Sequence, residues 1–96
     1  MKLKGIRKED SNIVHYQFEG DITIYTVNKL KKIIMDELAQ SSKVELDLRN
    51  VEKFDSAGFQ LLVYLNREAK NNEKEIQIVQ KSMYVSKVFN LFGVNM

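Results

Sequence analysis

The chain has 96 residues, no cysteine and a single histidine, and its 15 basic and 13 acidic residues leave a formal charge of +2. That length gives one domain, residues 1–96, with one modest core, and the residue set excludes a disulfide framework, a thiolate nucleophile and any two-histidine metal site. So balanced a charge does not argue for nucleic acid. No run approaches the roughly 20 apolar residues of a membrane-spanning helix, and the N-terminus lacks the apolar core of a signal peptide, so a cytoplasmic protein is expected.

In chain order, Leu3 to about Arg7 reads as a short strand interrupted by Gly5, with Lys2, Lys4, Arg7 and Lys8 forming a small basic edge. Glu9-Asp10-Ser11-Asn12 is a cluster of turn formers. Val14, Tyr16 and Phe18 then alternate with His15, Gln17 and Glu19, a half-buried strand that forms a hairpin with the first and ends at Gly20-Asp21. Thr26 is placed to cap a helix whose apolar face is Val27, Leu30, Ile34 and Leu38. Lys29, Lys31, Lys32, Asp36 and Glu37 line the rest of it, and Ser41-Ser42 break it.

A second strand–helix unit follows. Val44, Leu46 and Leu48 alternate with Glu45 and Asp47, a period of two with one wet face. From Phe59 onward Leu61, Leu62, Leu65 and Ala69 recur at helical spacing, with Gln60, Arg67, Lys70 and Asn71 largely on the other side. Beyond a loop at Asn71-Asn72-Glu73, Ile76 and Ile78 alternate with Glu75 and Gln77 in a further strand. Ser82 caps a last helix carrying Val85, Val88, Phe89 and Phe92, stopped by Gly93. The fold class is therefore α/β, in the order β-β-α-β-α-β-α, with a mixed, mostly parallel four-stranded sheet. Strands covered on both faces usually lose their alternation, so these place the helices mainly on one face.

Chemistry concentrates where the second helix opens, at Asp55-Ser56-Ala57-Gly58. The first backbone N–H groups of a helix have no partner there, and either Asp55 or Ser56 can cap them. If Asp55 caps, the Ser56 hydroxyl is left outward at the positive end of a helix. Gly58 keeps bulk away from whatever approaches. Phe54 and Phe59 fit either the core or the apolar rim of a docking surface, with core the default, and Tyr84, Phe89 and Phe92 read as packing. Asp21 reads as a turn carboxylate or as a second member of the site. A serine nucleophile needs a base, and the sole histidine, His15, lies on the polar side of another strand. With no glycine-rich phosphate loop, dinucleotide fingerprint or metal-ligand set, an enzyme is not expected, nor is a cofactor.

DSAG after an acidic-apolar strand, followed by FQLLVYLNREAK, resembles the signature of the STAS domain, the fold of bacterial anti-sigma-factor antagonists. Phe18-Glu19-Gly20-Asp21-Ile22 and the stretch Val85 to Val94 are similar to further parts of that family, so the likeness covers roughly Ile13 to Val94. The resemblance implies a regulatory protein-interaction module in which Ser56 is phosphorylated. It implies that Asp21 lies near that serine, and that Asp21, Asp55, Ser56, Ala57, Gly58 and Phe59 meet the partner. The implied partner is an anti-sigma factor or serine kinase of the GHKL type. Two rivals share the likeness: a small subunit bracing the ATPase of a phospholipid-trafficking ABC transporter, and a chemotaxis-associated regulator. Three departures stand out: Ala57 replaces a second hydroxyl residue, Lys53 sets a cation just before the motif, and the chain stops at Met96, where longer members carry another strand and helix.

Overall fold

Ser11 and Asn12 adopt positive φ angles of 51° and 70°, the backbone twist that suits a two-residue hairpin turn. They join β1 (Leu3–Asp10) to β2 (Ile13–Ile22), which pair antiparallel from Leu3↔Gly20 to Asp10↔Ile13. The hairpin was expected, but β1 runs on to Asp10 and Gly5 does not interrupt it. A Cβ at Gly5 would stand 2.8 Å from the Phe18 ring, so the missing side chain makes room for that ring against β1.

The computed structural model describes residues 2–96. After the hairpin come α1 (Val27–Leu38), β3 (Lys43–Phe54), α2 (Ser56–Asn71), β4 (Glu75–Lys81) and α3 (Met83–Phe92). The sheet order is β1-β2-β3-β4, with β2–β3 and β3–β4 parallel. Val14, Phe18, Ile22, Val44, Leu46, Leu48, Ile76 and Ile78 point to one side, where they meet Leu30, Ile34, Leu62, Leu65, Val85 and Phe89 in one continuous core. His15, Glu45, Gln77 and their neighbours point the other way. One face is covered and the other is wet, as the alternation required.

Two residues, one just before α1 and one on it, depart from expectation. Thr26 precedes the helix but its hydroxyl does not cap it. Instead it donates to the Asp21 carbonyl (2.8 Å) and accepts from the Thr23 N–H (3.0 Å), tying the β2–α1 loop to itself. Glu37, expected on the wet side, is only 7% exposed. Its carboxylate accepts from Arg7 Nε (2.8 Å) and Nη2 (3.2 Å), the Tyr16 hydroxyl (3.1 Å) and the Ser41 hydroxyl (2.7 Å). Those donors, Arg7 above all, hold Glu37 down at about 2 although burial alone would raise it. A helix residue at this position can therefore go under because four donors converge on it.

Candidate functional site

The parallel register sets Ile22 beside Phe54, so the ends of β2 and β3 lie together and the segments that follow are neighbours. Gly20 makes the approach possible. Its φ of +102° suits glycine, and a Cβ would collide with the Lys2 carbonyl. The register shifts there, and the Asp21 N–H donates to the same Lys2 carbonyl at 2.7 Å. Asp21 itself is half-buried and pairs in register with Lys53. Its N–H and carbonyl hold the strand end, which leaves its carboxylate outside that scaffold.

Asp55, the N-cap of α2, resolves the two readings of the motif. Its Oδ1 accepts from the Gly58 N–H at 3.0 Å, and its Oδ2 accepts from the Ile24 N–H, also at 3.0 Å. One carboxylate thus starts the helix and fastens the neighbouring loop. Ser56 is the first helical residue, exposed, and the cap does not need its hydroxyl. Ala57 is half-buried. Beyond it the site goes under the surface. Gly58 is buried, and a Cβ there would stand 2.7 Å from the Ile22 carbonyl oxygen, 2.9 Å from Ile22 Cγ2 and 3.0 Å from Phe54 Cε1. The expectation that Gly58 clears room for an approaching molecule is corrected: it lets α2 sit on the end of β2. Phe59, offered as a docking residue as well as core, is core. It is 7% exposed, edge-on to Phe89 (5.1 Å between ring centres) and stacked on Phe92 (4.5 Å).

Of the six residues grouped from the sequence, Asp21, Asp55, Ser56 and Ala57 reach solvent and the other two support them from beneath. The sequence reading passed over Ile24 and Tyr25, which are 63% and 75% exposed in the β2–α1 loop that Asp55 holds. Two large adjacent apolar residues in a short connection between strand and helix were the available signal. It also took Tyr84 and Phe92 as packing, yet they are 49% and 47% exposed, and only Phe89 of the three is fully buried. A shallow groove of about 440 Å³ runs from Thr23 and Asp55 past Phe54 to Tyr84, Lys87 and Val88.

His15 stands apart from all this. Its Nδ1 lies 2.8 Å from Glu45 on the open sheet face, seven residues or about 23 Å along β2 from Ile22. It supplies no base to Ser56. Among the described residues no group of three or more histidines or carboxylates is placed to hold a metal ion.

The class these features define is a small α/β domain, a four-stranded mixed sheet covered on one face, whose distinctive feature is the junction of a strand end, an apolar loop and a helix start. A family model described as "Mlab, STAS domain" matches residues 8–96. The chain belongs to the STAS domain family. It is 26% identical over 76 residues to the anti-sigma-B factor antagonist of Staphylococcus epidermidis, a match spanning 78% of this chain and 70% of that one. Its fold is that of an anti-sigma factor antagonist from Mycobacterium paratuberculosis (TM-score 0.83, 19% identity, 96% of this chain and 79% of the other). It is also that of the anti-sigma factor antagonist SpoIIAA in its unphosphorylated form (TM-score 0.78, 18% identity, 95% and 82%). The phosphorylated form of SpoIIAA matches too (TM-score 0.73, 17% identity, 95% and 85%). No helix among the described residues is long and apolar enough to cross a membrane.

Proposed function

We propose that this chain is a protein-interaction module of the anti-sigma-factor-antagonist type, whose docking is switched by phosphorylation of Ser56. The observation that carries this reading is the division of labour at the helix start. Asp55 caps, so Ser56 is exposed with its hydroxyl spare. A phosphate there would add roughly −1.5 to −2 charges, at a helix N-terminus that accommodates anions. The domain keeps its fold; a partner seated over Ser56, Asp21 and the Ile24–Tyr25 loop meets a bulky dianion and is repelled. Unmodified protein binds, modified protein lets go. The partner in this reading is an anti-sigma factor or a GHKL-type serine kinase, and the setting is the cytoplasm. That SpoIIAA has been solved with and without phosphate supports the choice of switch.

The test uses the chain expressed in its own cells. Intact mass and peptide mapping should find one phosphate, at Ser56, absent from Ser56→Ala. Immobilised wild type should retain a partner ATPase that Ser56→Asp does not. Equal retention by both, with no phosphate on Ser56, would refute the reading. A second reading, a subunit bracing the ATPase of a phospholipid-trafficking ABC transporter, is favoured by the description of the matching family model. There the retained protein is an ABC ATPase, and retention is indifferent to Ser56→Asp.

A further inference from the structure

Among the described residues, four of the eight large apolar ones that the fold leaves exposed lie on α3, a helix of only ten residues: Met83 (66%), Tyr84 (49%), Leu91 (80%) and Phe92 (47%). Tyr84, Val88 and Leu91 stand at i, i+4 and i+7, so they form one stripe down the helix. The stripe's upper end, Tyr84 and Val88, forms one wall of the groove that reaches Thr23 and Asp55. Its lower end passes Phe92, whose ring is anchored against Phe59. The stripe thus runs from the groove beside Asp55 to the end of α3.

α3 has no acidic residue and carries Lys87. Lys53 lines the groove, and Lys81 Nζ lies 5.0 Å from the centre of the Phe89 ring. None of these three lysines forms an ion pair among the described residues, where Arg7, His15, Lys32, Lys43 and Arg49 do. The negative groups nearby are Glu52 and Asp55 in the groove, Glu19 beside Met83 and Tyr84, and Asp21 in register with Lys53; both oxygens of Asp55 are already occupied by backbone N–H groups. A second copy of the chain is a poor occupant. Two α3 helices packed antiparallel bring Lys87 against or beside its own image with no acid on either helix to offset it.

We infer that the Tyr84–Val88–Leu91 face of α3 is a docking surface for a segment of a partner protein that presents apolar anchors flanked by acidic side chains, which Lys53, Lys81 and Lys87 receive. The inference rests on the proposed function and extends it. A partner with acidic flanks is the kind that a dianion on Ser56 repels most strongly, so the switch and the α3 face would act on one occupant.

The experiment places the photoreactive residue p-benzoylphenylalanine at Leu91, or in a second strain at Tyr84, in the full chain expressed in its own cells. Ultraviolet crosslinking and mass spectrometry then identify the joined segment. Neither side chain is in the core, so both variants should fold, which far-UV circular dichroism checks. The expected result is one protein crosslinked through an apolar segment of net negative charge, with a yield reduced at least fivefold by Lys53→Glu/Lys87→Glu. Crosslinks only to a second copy, only to anionic lipid, to a basic segment, or to nothing each overturn the inference, as does a yield unchanged by the charge reversal. Ser56→Asp separates this from the underlying reading. If it leaves the α3 crosslink intact, the docking face stands and the switch fails. If it abolishes partner retention while α3 never crosslinks, the switch stands and this surface fails.

Discussion

Replacing Asp55 separates its two jobs. In Asp55→Ala, α2 loses its N-cap bond to the Gly58 N–H, worth about 1 kcal/mol. The Ile24 N–H loses its carboxylate partner, a charge-assisted bond for which about 1 kcal/mol is appropriate at this partly solvated position. The sum is about 2 kcal/mol, which in a domain of this size lowers Tm by about 8–16 °C. Asp55→Ser keeps a capping oxygen but cannot also span to Ile24, so it should lose only about half as much. Urea unfolding of wild type and both variants gives the energies, and amide hydrogen exchange assigns them to atoms. In Asp55→Ser the Gly58 amide should stay protected while the Ile24 amide exchanges faster; in Asp55→Ala both should. If Asp55→Ala unfolds within about 0.5 kcal/mol of wild type, or if the serine variant is as damaged as the alanine one, the double role assigned to this carboxylate is wrong.

Gly58→Ala, a change that normally favours a helix by about 1 kcal/mol, should here cost about 1–3 kcal/mol, because the new Cβ presses on the Ile22 carbonyl and the Phe54 ring; urea midpoints measure it. Glu37→Gln should cost about 2 kcal/mol at pH 7, a figure discounted for the partial exposure of Arg7. Because Glu37 is held at about 2 in the fold against 4.5 otherwise, its contribution is complete above about pH 4.5 and disappears as pH falls towards 2. The gap between wild type and the glutamine variant in urea melts should therefore close between pH 5 and pH 2. A gap that stays constant would show that the carboxylate's charge is not what matters.

Most of the architecture was legible because it depends on period. Val44, Leu46 and Leu48 could face only one way, and Leu61, Leu62, Leu65 and Ala69 could make only one helical face, so the sheet with one covered side followed. What escaped was decided by partners far along the chain. Glu37 is polar at a helical position, and nothing local shows that Arg7, thirty residues earlier, will bring it a guanidinium. Thr26 looks like a cap, but the Thr23 N–H takes the hydroxyl oxygen that would have accepted from the helix. The role of Gly58 was misassigned for a related reason. A glycine near a helix start reads the same whether it clears space for a visitor or for the chain's own β2, and only the register that puts Ile22 beside Phe54 distinguishes the two. Ile24 and Tyr25 belong to no periodic element, so a method built on periods could not weigh them.

The same division of roles says where a charge at Ser56 will be felt. A negative group at the first helical residue gains about 0.3–1 kcal/mol from the helix N-terminus. Next to Asp55 it also meets a like charge, which at a solvated distance of a few ångströms costs about 1 kcal/mol. The two nearly cancel, and Ser56 contributes neither the cap nor any packing of the buried core. Ser56→Asp should therefore move the unfolding free energy by less than about 1 kcal/mol. A partner that must desolvate the same charge to dock faces a penalty of several kcal/mol. The expected signature is a variant with nearly unchanged urea midpoint and binding weakened at least a hundredfold. A loss of stability matching the loss of binding would mean that the charge acts by loosening the domain, and that Ser56 belongs to the scaffold instead of to its surface.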